Sequence, residues 1–121
     1  MTPQRFAEAL VARIQPVVPD GFVVRAEGDH VRVVPPEGTG TSASLGYLDP
    51  GEADADDYAD AAWNVLSMVQ DAVSEYVAEP WPSGAGDDVA DPGTRADDGV
   101  VRLWFGDETA PVVVLEAIPL D

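Results

Sequence analysis

Carboxylates are the most numerous side chains in this sequence that could bind a metal or transfer a proton, and several of them are closely spaced. The run Asp54-Ala55-Asp56-Asp57 suggests a calcium-binding loop. An EF-hand loop that starts at Asp54 needs glycine sixth and glutamate twelfth, but those positions hold Ala59 and Val65. A loop counted from Asp87 fails too, because Pro92 is its sixth residue. We therefore expect no calcium site, no other metal and no cofactor.

Catalytic side chains are scarce elsewhere. The single histidine, His30, lies beside a predicted hairpin turn, where a lone histidine is usually only solvated. Cysteine and lysine are absent, which removes thiolate nucleophiles and the lysine of a phosphate-binding loop. No nucleophile-elbow motif is present, and no spacing singles out a pair of carboxylates for acid–base hydrolysis. We expect a protein that is not an enzyme.

Charge restricts the class of partner. The 121 residues include 23 acidic and six basic side chains, all six arginine, which gives a net charge of −17. Such a chain is repelled by nucleic-acid phosphates and by anionic membranes, so we expect a protein partner, basic in character. Residues 49–98 hold 14 of the acidic side chains and one arginine. Genome base composition or adaptation to salt is the alternative explanation of this acidity.

The same composition predicts a cytoplasmic location. There is no cysteine for a disulfide, and Met1 to Phe6 lacks the apolar core of a signal peptide. No run approaches the roughly 18 apolar residues that a membrane span requires.

Periodicity predicts one α+β domain over residues 1–121. A helix follows Thr2-Pro3, two strands flank the turn Gly28-Asp29, a third strand covers Thr41 to Leu48, and a long helix covers about Asp54 to Ala78. An acidic loop rich in glycine and proline is expected at about 79–99, with a short strand near Val89 as the alternative, because a loop of roughly 20 residues is uncommon in a compact domain. A hairpin of Val100 to Phe105 and Val112 to Ile118 closes the chain. We expect the order α-β-β-β-α-β-β, with one antiparallel sheet of five to six strands packed against two helices and no internal repeat.

Four residues are candidates for protein binding. The predicted hairpin register sets Arg25 opposite Arg32, an unfavourable pair unless an acidic group covers it. Trp63 lies at the edge of the apolar stripe of the long helix, and Trp81 is held between Pro80 and Pro82. Tryptophan and arginine are enriched at binding hot spots, although folding back of Trp81 onto its own domain is the favoured alternative.

The element order resembles that of bacterial YbjN-type domains and of type III secretion chaperones, which are small, acidic and poor in cysteine. No residue motif carries this resemblance. It implies a chaperone-like module, acting as a homodimer that holds an unfolded segment of a client. We thus expect a non-enzymatic protein-binding role. The alternative is an acidic inhibitor, an immunity protein or DNA mimic, of a basic nucleic-acid-binding protein.

Overall fold

The computed structural model describes residues 1–83 and 89–120. It is an α+β structure with two helices and six strands in the described part of the chain. In order these are α1 (Pro3–Ile14), β1 (Val23–Glu27), β2 (His30–Val34), β3 (Thr41–Ser44), α2 (Ala55–Val77), β4 (Pro92–Asp97), β5 (Val100–Asp107) and β6 (Ala110–Pro119).

The expected single sheet is wrong. The strands form two antiparallel three-stranded sheets, with orders β1–β2–β3 and β4–β5–β6. The physical reason is β4, which lies in the segment where a loop was expected. It pairs with β5 from Val100 to Phe105, so the closing hairpin has no need to extend the first sheet.

The segment 79–99 is therefore only partly irregular. An isolated bridge joins Ser83 to Val89, and β4 begins three residues later. Residues 84–88 of the expected loop lie outside the described residues. The glycine, proline and aspartate content of this segment hid the strand, because these residues are depleted in most strands.

Both predicted helices are present, and each begins at a capping residue. The Thr2 hydroxyl accepts a hydrogen bond from the Arg5 N–H at 3.2 Å, and Pro3 takes the first helical position. Asp54 and Asp57 form a reciprocal capping box at the start of α2. Helix α2 ends at Ala78, which adopts a left-handed conformation with φ 58°.

The element order reveals an internal repeat, contrary to the sequence-based expectation. Each half of the chain contains a helix followed by three antiparallel strands. In the first hairpin Arg25 pairs with Arg32, and in the second Arg95 pairs with Arg102, each arginine lying 70 positions after its counterpart. Between each pair of arginines, a tight two-residue turn joins the strands.

The helices and their contacts repeat in the same way. Phe6 and Tyr58 each lie four positions after their N-caps, and their rings meet edge to face with centroids 5.0 Å apart. Helix α1 packs on β1 and β2 and also touches β6, whereas α2 packs on β4 and β5 and also touches β3 and β2. Each helix thus touches the third strand of the other half, and the two halves share one apolar core.

Candidate functional site

The outer edges of the two sheets decide where this molecule can bind another chain, because an unpaired edge strand is a template for a further strand. The edge of β1 is occupied by Gln15. Its amide nitrogen donates to the Phe22 carbonyl at 3.0 Å, and its amide oxygen accepts from the Val24 N–H at 2.6 Å. This side chain therefore takes the place of a neighbouring strand.

The edge of β6 is occupied by Arg13, in the last turn of α1. Its Nε donates to the Glu116 carbonyl at 2.9 Å, and its Nη2 donates to the Ala117 carbonyl at 3.0 Å. Its Nη1 donates to the Ala9 carbonyl of its own helix at 3.0 Å. Only 16% of the side chain is exposed, so the guanidinium is built into the edge.

Side chains of α2 hold the beginning of β4. The indole N–H of Trp63 donates to the Pro92 carbonyl at 3.1 Å. Two residues earlier, the buried amide of Gln70 donates to the Ala90 carbonyl at 2.7 Å. The edge that β4 presents is thus tied to the helix at its start.

The remaining edge strand, β3, is the exception. Among residues 1–83 and 89–120, no side chain donates to or accepts from its backbone. The Leu45 N–H donates to the Asp29 carbonyl at 2.8 Å, which fixes the phase of the β2–β3 ladder. Because hydrogen-bonding directions alternate along an antiparallel strand, the backbone groups of Ser42 and Ser44 point away from β2. Both residues are exposed.

Two open clefts flank β3 where it passes α2. The first, the N-terminal cleft, has a volume of about 420 Å³ and is lined by Tyr47, Leu48, Asp49, Glu52, Ala53, Asp57, Asp60 and Asn64. The second, the C-terminal cleft, has a volume of about 470 Å³ and is lined by Val33, Pro35, Glu37, Thr39, Thr41, Ala72, Glu75 and Tyr76. We call β3 with these two clefts the β3 groove.

The helix side of the β3 groove is one stripe of α2. The positions 57, 60, 64, 72, 75 and 76 follow each other at helical spacing, and position 68 falls between the two clefts. All six charged residues that line the clefts are acidic. No group of three or more potential metal ligands is found in the described part of the chain. The groove is therefore an anionic surface beside an open strand edge.

The structure separates the four residues singled out from the sequence. Arg25 and Arg32 face each other across β1 and β2, as the predicted register required. The Arg25 Nε lies 2.9 Å from a Glu27 carboxylate oxygen, so an acidic neighbour on the same strand offsets part of the repulsion. Both arginines lie on the first sheet, away from the lining of the clefts.

The two tryptophans contact their own domain. The Trp81 ring is half-buried and meets Phe105 edge to face with centroids 5.5 Å apart. The Ser74 hydroxyl accepts from the Trp81 N–H at 3.0 Å and donates to its carbonyl at 3.2 Å. Trp63 is 45% exposed, but its N–H is engaged by Pro92. Neither ring lines the β3 groove.

Sequence reasoning missed the residues that form the groove. It recognised that residues 49–98 are acidic but did not consider which face of the helix each carboxylate lies on. The helical spacing of Asp57, Asp60 and Glu75 was the available signal, because it places these carboxylates on one face. The uncovered edge of β3 had no signal in the sequence, since it depends on which side chains reach the other three edges.

A second feature is the outer face of the second sheet. Val112 and Val114 are exposed there at 46% and 68%, and the half-buried Trp104 lies across Gly93 on the neighbouring strand. Arg95 contacts Glu108 at 2.6 Å, and Arg102 lies 3.6 Å from Asp97. This face, which we call the Trp104 face, is apolar in its middle and has two arginines balanced by two carboxylates.

Comparisons with protein-family models, with curated proteins and with solved structures gave no significant match. Neither α1 nor α2 has the length and apolar character needed to cross a membrane, and these are the helices of the described residues.

Proposed function

We propose that this protein is a non-enzymatic binding module that holds an extended, basic segment of a protein partner along the β3 groove. The observation that carries the proposal is the uncovered edge of β3 beside the acidic stripe of α2. A segment added to β3 makes main-chain hydrogen bonds with Ser42 and Ser44, and its side chains on one face reach the clefts. The six cleft carboxylates favour arginine and lysine there.

This proposal is a more specific form of the chaperone-like function that the sequence suggested. The groove would hold a client through its backbone and its basic residues. Such a client needs an extended conformation and positive charge, and its exact sequence matters little. We include a cytoplasmic location in the proposal, because a chain without cysteine needs no oxidising compartment.

Peptide titration tests the proposal. An extended arginine-containing peptide labelled with a fluorophore is expected to bind with an affinity that falls as salt is raised, because the ion pairs are screened. A peptide of reversed charge serves as the control and is expected not to bind. Equal binding of the two peptides would contradict a role for the carboxylates.

Backbone pairing is tested separately from charge. Alternate residues of an added strand direct their N–H groups at β3, and the residues between them direct theirs away. N-methylation of the first set is expected to abolish binding, whereas N-methylation of the second set is expected to leave it intact. On the protein side, Ser42→Pro removes an outward N–H from an edge strand, where proline is tolerated. If both N-methylated phases bind like the parent peptide, strand addition is wrong.

The charge contribution has a matched control on the same helix. Asp60→Asn removes a cleft carboxylate, whereas Asp56→Asn removes one from the first turn of α2 that lines neither cleft. Each substitution changes the net charge by one. We expect Asp60→Asn to weaken peptide binding by about two- to fivefold, in line with an exposed ion pair of up to about 1 kcal/mol, and Asp56→Asn to leave it unchanged.

Inhibition of a folded, basic nucleic-acid-binding protein is the second candidate function. It is favoured by the acidic residues at the start of α2, where Asp54, Asp56, Asp57 and Asp60 are all exposed. A folded partner would meet the whole acidic surface, so that Asp56→Asn and Asp60→Asn would weaken binding equally. The same pair of variants therefore distinguishes a decoy surface from a groove.

We also propose that a second copy of this chain docks on the Trp104 face. Two chains of net charge −17 repel each other, and this face carries little of that charge, because Arg95 and Arg102 offset two of its carboxylates and the exposed Glu116 of β6 is the third. A three-stranded face about 15 Å wide and 20 Å long covers roughly 300 Å². This is well below the about 800 Å² per partner of a standard interface, so the homodimer is expected to be weak.

Light scattering after size exclusion tests the dimer, against a chain mass of 12.7 kDa. Because salt screens the mutual repulsion, the dimer fraction is expected to rise with salt, opposite to peptide binding. Val112→Glu is expected to abolish the dimer. Val23→Glu is its matched control, since Val23 is 47% exposed on the first sheet and the change in charge is the same. A monomer at every salt and protein concentration would remove the dimer from the proposal.

A further inference from the structure

The strand β3 has a second face, on the side of the first sheet that points away from α2. Thr41 lines the C-terminal cleft and Ala43 packs against the core, so these two side chains of β3 point towards α2. Side chains alternate along a strand, which places Ser42 and Ser44 on the outer face of the sheet. Both side chains are short and exposed, so they leave the outer face open beside the free edge.

Arg32 lies beside Ser42 on this outer face. The two residues are partners in the β2–β3 register, and Arg25 is the partner of Arg32 on the other side, in β1. The side chain of Arg32 extends towards β3, since a Cβ on Gly40, the residue before β3, would lie 3.2 Å from the Arg32 Nε. The like charge of Arg25 disfavours the opposite direction. The Arg32 guanidinium is therefore directed towards the open edge.

The other charged groups of this face are paired within the chain. The Arg25 Nε lies 2.9 Å from a Glu27 carboxylate oxygen, and the His30 Nδ1 lies 2.8 Å from a carboxylate oxygen of Asp29. Arg32 forms no ion pair with residues 1–83 or 89–120. In a chain of net charge −17, this guanidinium is available to a carboxylate from outside.

A segment added to β3 continues both faces of the sheet. Its alternate side chains turn to α2 and meet the cleft carboxylates, and the side chains between them lie on the outer face in line with Ser42 and Arg32. Neighbouring strands are about 4.8 Å apart, so the added residue lies about 10 Å from the Arg32 backbone, with only Ser42 between them. Arginine and glutamate side chains together can span that gap. An acidic side chain is thus attracted on the outer face and repelled on the α2 side.

We propose that Arg32 is a specificity-determining residue of the β3 groove, and that the groove selects extended segments with an acidic side chain between two basic ones. The basic side chains turn to the clefts, and the acidic side chain turns to Arg32. This inference rests on the proposed function, because it assumes that the segment adds to β3 as a strand. It names the ligand class more narrowly: a strand that is basic on one face and acidic on the other.

A double-mutant cycle between peptide and protein tests the pairing. The first peptide carries Arg-Glu-Arg in a background of serine, threonine and valine, and the second carries Arg-Gln-Arg in the same background. Dissociation constants are measured by fluorescence anisotropy at low salt, for wild type and for Arg32→Gln. The affinity of the first peptide relative to the second is expected to be about three- to fivefold higher for wild type than for Arg32→Gln, as for an exposed ion pair.

Arg25→Gln is the matched control on the same face. It removes the same charge, but Arg25 is paired with Glu27 and lies one strand farther from the open edge. The relative affinity of the two peptides is therefore expected to be the same for Arg25→Gln as for wild type.

A third peptide tests the alternation on the wild-type chain alone, so this comparison stands even if a variant fails to fold. It has the composition of the first peptide, but its glutamate follows the second arginine by two positions and so lies in the phase of both arginines. We expect it to bind more weakly than the first peptide, because its carboxylate turns to the acidic clefts. Equal or tighter binding of the third peptide would contradict the two-faced ligand.

The cycle separates the inference from the proposed function. If the relative affinity is the same for wild type and Arg32→Gln, or if Arg25→Gln lowers it as much as Arg32→Gln does, the role of Arg32 is overturned while the binding of basic segments remains. Failure of all three peptides to bind would overturn the role of Arg32 together with the proposed function.

Discussion

Replacing Arg13 by methionine should destabilise the fold by about 3 kcal/mol, because methionine keeps much of the apolar stem and loses every donor. Two of the carbonyls that Arg13 serves, those of Glu116 and Ala117, lie on the β6 edge. A hydrogen bond to a charged group contributes about 1.5–3 kcal/mol, and the lower value applies here because water can reach the edge after substitution. The Glu116 carboxylate adds little, since it lies 3.9 Å away and is 85% exposed.

The measurement is urea or thermal unfolding followed by circular dichroism. A loss of 3 kcal/mol corresponds to a fall in Tm of roughly 10 °C for a chain of this size. Arg5→Met is the control, since Arg5 is exposed on the same helix and its side chain forms no hydrogen bond with residues 1–83 or 89–120. Its effect is expected within about 0.5 kcal/mol. If the two variants differ by less than about 1 kcal/mol, the description of Arg13 as part of the β6 edge is refuted.

Three further predictions concern single positions. Ala78→Gly should raise the free energy of unfolding by about 1 kcal/mol, because φ 58° strains any residue with a Cβ; an unchanged urea midpoint would contradict this. Gly93→Ala should cost about 1 kcal/mol and shift the Trp104 emission, since the new methyl group occupies the space of the indole ring. The Thr109 N–H and hydroxyl hold the pKa of Asp107 below its ordinary value, so its stabilisation is present above that value and is lost as pH falls through the lowered pKa. Unfolding midpoints of wild type and Asp107→Asn should therefore converge in acid; a constant difference would argue against this.

Local patterns in the sequence predicted the helices and the first hairpin. The helix start at Thr2-Pro3 and the turn at Gly28-Asp29 each depend on a few residues, and the long helix was predicted from its apolar periodicity. The structure confirms the bounds and register that these patterns imply. The third strand was shorter than predicted, since the ladder ends at Ser44 where the chain turns.

The predictions that were wrong concern features that depend on contacts between residues distant in the sequence. The strand β4 begins Pro92-Gly93, which indicates a loop when read alone, and it is a strand because β5 pairs with it throughout its length. The division into two sheets follows from that pairing. The repeat was missed because only the paired arginines and a few neighbours match between the halves, while the helices differ in length, Pro3–Ile14 against Ala55–Val77.

The candidate site divides in the same way. The concentration of acid on the second helix was visible in the sequence, and so was the pairing of Arg25 with Arg32. The uncovered edge was not, because it depends on Gln15 reaching β1 and Arg13 reaching β6 from sequence distances of 9 and 103 residues. A site defined by what other side chains leave open can be found only once those contacts are known.

The repeat places the two third strands, β3 and β6, in equivalent positions, because each passes the helix of the other half. The two positions nevertheless differ in how the backbone of the strand is bonded. On β6 the guanidinium of Arg13 fills the position from within the chain, by donating to the Glu116 and Ala117 carbonyls. On β3 no side chain of the described residues bonds to the backbone, so the two halves of the repeat are equivalent in topology and different in what their third strands present to solvent.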